Sequence, residues 1–85
     1  MTKRHLAICK AILEAVHDLD GGQALEVIIH ADACKHFRAM IPLNEFNEAF
    51  ESLNREGCFT GVHSKFKGTL WSMSDKGRQT REEMK

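Results

Sequence analysis

A short apolar stripe between Pro42 and Gly57 constrains the fold more than any other feature of the sequence. Its apolar residues recur at intervals of three, four and three, which is the spacing of one face of an α-helix. Proline is tolerated in the first turn of a helix, and glycine adopts the left-handed conformation that ends one. We therefore predict a helix that starts at Pro42, ends at Gly57 and turns the whole stripe toward the core. The stripe consists of Leu43, Phe46, Phe50 and Leu53.

A wider apolar arc predicts a first helix over Lys3 to Leu19, which the pair Gly21-Gly22 would end. At about 100° per residue, the apolar side chains fall on one side of this helix and most charged side chains on the other. An arc of this width is typical of packing against a protein core. Its members are Leu6, Ile8, Cys9, Ile12, Leu13, Val16 and Leu19.

The segment from Gln23 to Ile41 allows two interpretations. The run Val27-Ile28-Ile29 is β-branched throughout, which suits a short buried strand but also the start of a helix. Asp32 is a good N-cap residue and favours a second helix that begins after it. That helix would pass through Ala33, Cys34, Phe37 and Met40.

Two segments rich in β-forming residues, Cys58 to His63 and Gly68 to Met73, predict a β-hairpin. The residues from Ser64 to Lys67 would form its loop. Ser74-Asp75 then supplies the cap of a last short helix, which would run from Lys76 to about Met84.

The order of these elements predicts the α+β class and a winged helix-turn-helix fold, with a three-helix core, a two-stranded wing and a short C-terminal helix. Eighty-five residues suffice for one small core, so residues 1–85 are expected to form a single domain. No stretch approaches the roughly 18 apolar residues of a membrane span, and the N-terminus lacks a signal-peptide core. The three cysteines are an odd number without paired spacing, which argues against a disulfide scaffold and favours the cytoplasm.

Charge is distributed unevenly along a chain whose formal net charge is zero. The part from Met1 to Gly57 contains six basic and nine acidic residues, a balance of minus three. The part from Cys58 to Lys85 contains six basic and three acidic residues, a balance of plus three. We therefore expect an anionic partner to bind the C-terminal third.

The C-terminal half resembles winged-helix proteins in sequence. The run NEFNEAFESLNREGCFTGVH, followed by LWSMSDKGRQTREEM, is similar to their third helix, wing and closing turn. The marR and padR-type regulators share this closing turn, and the chain also resembles the YjcQ-like group of small bacterial and phage-derived winged-helix proteins. The likeness covers roughly Pro42 to Met84 and implies a winged-helix fold. The matching residues are Phe46, Ala49, Leu53, Arg55, Glu56, Gly57, Gly61, Val62, His63 and the run Ser74-Asp75-Lys76-Gly77.

A winged-helix fold implies DNA binding, with the third helix in the major groove and the wing on the backbone or in the minor groove. The resemblance therefore implies a small transcriptional regulator of bacterial or phage type that binds double-stranded DNA. Asparagine suits adenine edges and glutamate accepts from cytosine N4, whereas basic side chains suit phosphates. On the third helix the candidates are Asn44, Asn47, Glu48, Ser52 and Arg55. On the wing they are His63, Ser64, Lys65 and Lys67.

The acidic side of the third helix favours a different function. Glu45, Glu48 and Glu51 would lose solvation beside DNA and be repelled by its phosphates. The alternative is a winged-helix protein-interaction module that docks on a basic partner through these glutamates, as an adaptor or a mimic of nucleic-acid charge, and does not bind DNA. Phe66 and Leu70 would then be apolar groups available to a partner, unless Phe66 folds back onto the hairpin.

Metal binding and catalysis have weaker support. His30 and Cys34 are four residues apart and share a helical face, with Asp32 between them, but His36 points elsewhere and no zinc motif is present. Cys34 is better explained as a small core residue. No nucleophile with its base and no phosphate loop is visible, so we expect no cofactor and no enzymatic activity. A homodimer that forms through the terminal helices is also expected.

Overall fold

The fold belongs to the α+β class, and the computed structural model describes residues 2–19 and 22–84. Within these residues, four helices and one two-stranded antiparallel sheet adopt the predicted winged-helix-like layout. None of the described helices has the length and apolar character needed to cross a membrane. In chain order the elements are α1 (Lys3–His17), α2 (Glu26–Phe37), α3 (Leu43–Arg55), β1 (Phe59–Ser64), β2 (Gly68–Met73) and α4 (Asp75–Glu83).

The first helix supplies much of the core. The Oγ1 atom of Thr2 caps it by accepting a hydrogen bond from the backbone N–H of His5. α1 ends at His17, two residues before the predicted end, and Leu6 is partly exposed because it borders a shallow cleft beside Met84. Gly21 lies outside the described residues. The rest of the predicted arc is buried: Ile8, Cys9, Ile12, Leu13 and Val16, with Leu19 partly buried against them.

The second helix starts earlier than the sequence predicted. α2 begins at Glu26, so the strand interpretation of residues 27–29 is wrong, and Asp32 lies inside the helix instead of capping it. The extended residue in this region is Ala24, whose backbone N–H and carbonyl pair with those of Trp71 at 3.0 and 2.8 Å. The backbone pairing of this segment is therefore made before the β-branched run, which lies inside α2.

The third helix is confirmed at Leu43–Arg55. Pro42 precedes its first residue, and Gly57 follows it with a φ of 83°, which is the left-handed conformation expected there. Three members of the predicted stripe are buried, namely Phe46, Phe50 and Leu53.

The fourth member of the stripe, Leu43, is 62% exposed, against the prediction. Ile41 is fully buried just before the helix and fills the core at this end in its place. Arg38 closes α2 in the left-handed conformation, so Met40, which was expected to be helical, lies in the turn and is exposed. The short turn between α2 and α3 therefore decides which apolar residues enter the core.

The two strands pair over six residue pairs, from Phe59 with Met73 to Ser64 with Gly68. We call β1, β2 and the loop between them the wing. Because directly paired residues share a face and successive residues alternate, Phe59, Gly61 and His63 lie on the same face as Trp71. At the base of the wing this face packs on the helices through Phe59 and Trp71, whereas His63, farther along β1, is exposed.

Phe50 joins α3 to the base of the wing. Its ring stacks on Phe59 with the centroids 4.7 Å apart and meets Trp71 edge-on at 5.1 Å. Gly61 leaves room for the indole, because a Cβ atom at this position would lie 2.8 Å from Cζ3 of Trp71. The wing is therefore held against α3 by aromatic contacts.

The closing turn packs α4 against the start of the wing. Ser74 caps α4 by accepting a hydrogen bond from the N–H of Gly77 at 3.0 Å, and its hydroxyl donates a short hydrogen bond to the carbonyl of Gly57. Gly77 is buried, and a Cβ atom on it would overlap the carbonyl oxygen of Cys58 and the sulfur of Met73. This close approach explains the glycine in the Ser74-Asp75-Lys76-Gly77 turn.

We predict that Gly77→Ala lowers the free energy of unfolding by about 1–3 kcal/mol, because the added methyl group has no space beside Cys58. Helix propensity alone would have the opposite effect, since alanine stabilises a helix interior by about 1 kcal/mol over glycine. Urea denaturation followed by circular dichroism measures the change.

The matched control is Gln79→Ala on the exposed side of the same helix, which should change stability by less than about 0.5 kcal/mol. A Gly77→Ala variant as stable as the wild type would contradict the close packing of α4 on Cys58.

Candidate nucleic-acid interface

The outward face of α3 brings four of the five predicted helix residues together. Asn44, Asn47, Glu48 and Arg55 are exposed and project from the side of the helix opposite Phe46 and its buried neighbours. The fifth, Ser52, lies at the edge of this face, is half-buried and accepts a hydrogen bond from Nη2 of Arg55 at 3.4 Å. Arg55 is therefore held close to the helix by Ser52.

Glu45 lies at the edge of this face, and its carboxylate is paired with a cation. Nε and Nη2 of Arg4 donate to its two carboxylate oxygens at 2.7 and 3.1 Å. The guanidinium of Arg4 also lies over the ring of Phe37, 5.3 Å from its centroid. Arg4 belongs to α1, so its contacts with Glu45 and Phe37 link this helix to the start of α3 and to the end of α2.

The hydrogen bonds between the two side chains stabilise both charged forms. They lower the pKa of Glu45 below its usual range and raise the pKa of Arg4, with the direct charge attraction acting in the same direction. Because the pKa of Glu45 is lowered on folding, the pair stabilises the folded state above the ordinary glutamate pKa. That contribution is lost as the pH falls through the lowered pKa.

Glu48 and Glu51 remain as the acidic face, the name we use for this pair. Both side chains are exposed, and no ion pair involves either of them in residues 2–19 and 22–84. Two uncompensated carboxylates therefore lie on the surface that would meet a major groove.

The wing carries the opposite charge. His63, Lys65 and Lys67 are exposed, as predicted, and the sequence from Cys58 to Met73 contains no aspartate or glutamate. Ser64 is half-buried, and its Oγ accepts a hydrogen bond from the backbone N–H of Lys67 at 3.3 Å, so this hydroxyl shapes the loop. Each described helix contains at least one aspartate or glutamate, whereas the wing contains basic residues and no acidic residue.

Phe66 lies at the tip of the wing and is 92% exposed, so it does not fold back onto the hairpin. We call Lys65, Phe66 and Lys67 the wing tip. Leu70 is half-buried opposite Val62, and this pair occupies the face of the wing that points away from α3.

The histidine and cysteine residues considered as metal ligands serve the packing of the turn. His30 Nε2 forms a hydrogen bond with the carbonyl of Ile41 at 2.6 Å, and Cys34 Sγ accepts one from the N–H of the same residue at 3.4 Å. His36 instead contacts Asp18 at 2.6 Å. No group of three or more such side chains suited to a metal ion occurs in the described ranges.

A cleft between α2 and α3 was missed by the sequence interpretation. Glu26, Val27, His30, Leu43 and Phe46 line a volume of about 260 Å³. Val27 and Leu43 are 69% and 62% exposed, so the cleft has an apolar rim. Leu43 was predicted to face the core, whereas for Val27 the sequence left a buried strand and the start of a helix open. No signal in the local sequence distinguishes either residue from its buried neighbours.

We predict that Arg4→Gln raises the pKa of Glu45 toward the ordinary value of about 4.3, because the variant removes both charged hydrogen bonds. NMR titration of the Glu45 side-chain carboxyl carbon measures it. Lys3→Gln removes the same charge from the neighbouring exposed position and should leave the lowered pKa of Glu45 in place. An identical pKa in the wild type and Arg4→Gln would contradict the ion pair.

No family model, curated protein or solved structure matches the chain. The likeness to the YjcQ-like, marR and padR-type proteins therefore stays a likeness of sequence pattern, and a functional assignment depends on the residues and geometry described above.

Proposed function

We propose that this chain is a small winged-helix protein that binds double-stranded DNA through the wing and the exposed face of α3, as a transcriptional regulator of bacterial or phage type in the cytoplasm. One observation supports this most strongly. The wing presents His63, Lys65 and Lys67 without a single carboxylate between Cys58 and Met73, in a chain that is otherwise acidic up to Gly57.

The placement of the wing relative to α3 suits a duplex. Phe50 fixes the base of the wing against the helix, and each strand extends about 20 Å from that base over its six residues. A B-DNA major groove is about 12 Å wide. With α3 in the groove, a wing of this length spans to the neighbouring backbone and minor groove.

The two surfaces then have different tasks. Lys65 and Lys67 neutralise phosphates and supply most of the affinity, which is independent of base sequence. Asn44 and Asn47 are exposed on the first turns of α3, and the amide group of each pairs in a bidentate manner with adenine. Arg55 at the end of the helix contacts a phosphate or a guanine edge.

The acidic face limits the affinity of this arrangement. Glu48 accepts from cytosine N4 in a suitable site, whereas Glu51 gains only repulsion from nearby phosphates. Binding is therefore expected to depend on the wing and to be weak on sequences that do not match.

Two of the cysteines are buried and belong to the core. Burial, with a smaller effect of the neighbouring Cys58 and Glu56, raises the pKa of the Cys9 thiol to about 11, and Cys58 is itself fully buried. These cysteines act as core residues in the proposed regulator.

We predict that Lys65→Glu combined with Lys67→Glu abolishes duplex binding at about 0.15 M salt. At lower salt, the slope of log K against log salt should fall by about two, because each phosphate contact contributes about 0.9 to it. Fluorescence anisotropy with a labelled duplex at several salt concentrations measures both quantities.

The control for net charge is Lys10→Glu combined with Lys76→Glu, which makes the same charge change at exposed positions outside the wing. It should retain most of the affinity and the slope. A wing double variant that binds as the wild type does would show that the wing makes no phosphate contacts.

A protein-interaction module is the second candidate, and the surface of α2 and α3 favours it. The exposed Val27 and Leu43 border an apolar cleft, and Leu43 lies on the same helix as the acidic face. A partner segment that is both basic and apolar would find complementary groups there.

Glu48→Lys combined with Glu51→Lys separates the two functions. If the chain binds DNA, removal of repulsion and gain of two cations should strengthen binding to any duplex and steepen its salt dependence. If it docks a basic protein, the same variant should capture less protein from a bacterial lysate and gain no specific partner. Glu83→Lys on α4 is the control and should change neither measurement.

A further inference from the structure

The wing tip exposes the phenyl ring of Phe66 more fully than any other large apolar side chain in residues 2–19 and 22–84. Its exposed fraction is 92%, and no aromatic or cationic side chain of the described residues packs against it. A chain with so small a core gains most from burying such a ring. The ring is nevertheless held away from the core, next to Lys65 and Lys67.

The loop that holds Phe66 is structured. Ser64 and Gly68 form the last pair of the hairpin, and Gly68 adopts a φ of 86°, in the left-handed region that reverses the chain. The N–H of Lys67 donates to Oγ of Ser64 at 3.3 Å, so this bond spans Lys65 and Phe66. These contacts constrain the backbone on both sides of Phe66, whose ring is exposed at the tip of the loop.

We propose that Phe66 is an apolar wedge that enters the minor groove of duplex DNA and partly unstacks one base step, while Lys65 and Lys67 hold the phosphates on either side. This inference rests on the proposed DNA-binding function. It adds the residue that contacts the bases, the groove that this residue enters and the unstacking that it causes. Apolar side chains that enter between base steps kink the duplex, and phenylalanine is one of those used in this way.

The dimensions and the charges of the wing tip both suit the minor groove. The groove is about 6 Å wide, which excludes a helix but admits a flat ring at the tip of a hairpin. Both lysines next to the ring are exposed, so in the proposed complex their ammonium groups can reach the phosphates that line the groove. No carboxylate in the wing opposes this approach.

The wedge also predicts a preference among DNA sequences that does not depend on base contacts from α3. Pyrimidine–purine steps such as TA unstack most easily, so a duplex with such a step opposite the wing tip should be bound more tightly than one with an A-tract there.

The test uses the full chain with a duplex in which 2-aminopurine replaces the adenine of a TA step, labelled with a donor and an acceptor dye at its ends. For the wild type we expect 2-aminopurine fluorescence to rise and the end-to-end distance to shorten on binding. Phe66→Ala should lose both signals and bind about tenfold more weakly, in line with the loss of one base–aromatic contact. Its salt slope should be unchanged, because both lysines remain.

Phe66→Leu is the matched variant. Leucine is also an apolar wedge, so it should retain bending while losing part of the affinity. Neither substitution should alter the thermal melting curve, because the side chain makes few contacts in the folded chain.

The experiment distinguishes a wrong wedge proposal from a wrong DNA-binding proposal, because the two predict different results. A wild type that binds the duplex with its full salt slope but is matched by Phe66→Ala in affinity and bending would overturn the wedge alone. A wild type that binds no duplex would overturn both. Binding that depends on Phe66 but requires phosphatidylserine vesicles, or self-association abolished by Phe66→Ala, would assign the ring to a membrane or to a second copy and overturn the inference.

Discussion

The packing of Phe50 against Phe59 and Trp71 is the contact on which the rest of the structure depends. It joins α3 to the base of the wing, and the same aromatic series continues through Phe46 to His30 on α2. A core of this size contains few large side chains, so a handful of ring contacts determines how the helices and the hairpin are oriented. The outward faces of α3 and the wing are consequences of that orientation.

Further contacts hold α1 and α4 to the rest of the fold. Arg4 holds Glu45 at the start of α3, and Gly77 allows α4 to pack directly on the backbone at Cys58. With its base secured from both sides, the wing extends beyond the core, and its tip makes no contribution to packing. Lys65, Lys67 and the exposed phenyl ring lie at this tip, where a substitution is expected to change the stability of the fold least.

The sequence predicted the elements whose signals are local. The helix α3, the glycine after it and the serine that caps α4 each depend on residues a few positions apart. The structure confirms all three, and it buries three of the four residues of the predicted stripe. The predicted start of α2 was too late. The extended residue before this helix is Ala24, and its pairing partner Trp71 lies far away in the chain, where a local pattern cannot indicate it. The ion pair of Glu45 could not be predicted either, because its partner Arg4 is 41 residues away in the chain. Local sequence also does not show that Ile41 is buried at the start of α3 while Leu43 is exposed. Of the candidate site, the exposure of the wing lysines could be predicted, whereas the pairing of Glu45 with Arg4 could not.

The central claim is that α3 and the wing present one continuous surface to a duplex. An HSQC titration of the 15N-labelled chain with unlabelled duplex DNA, at about 0.05 M salt, tests it most directly. The account predicts that the largest amide shifts occur together at the wing tip and at Asn44 and Asn47, with one shared dissociation constant. Shifts confined to α1 and α4, or none at all at a duplex excess, would contradict it.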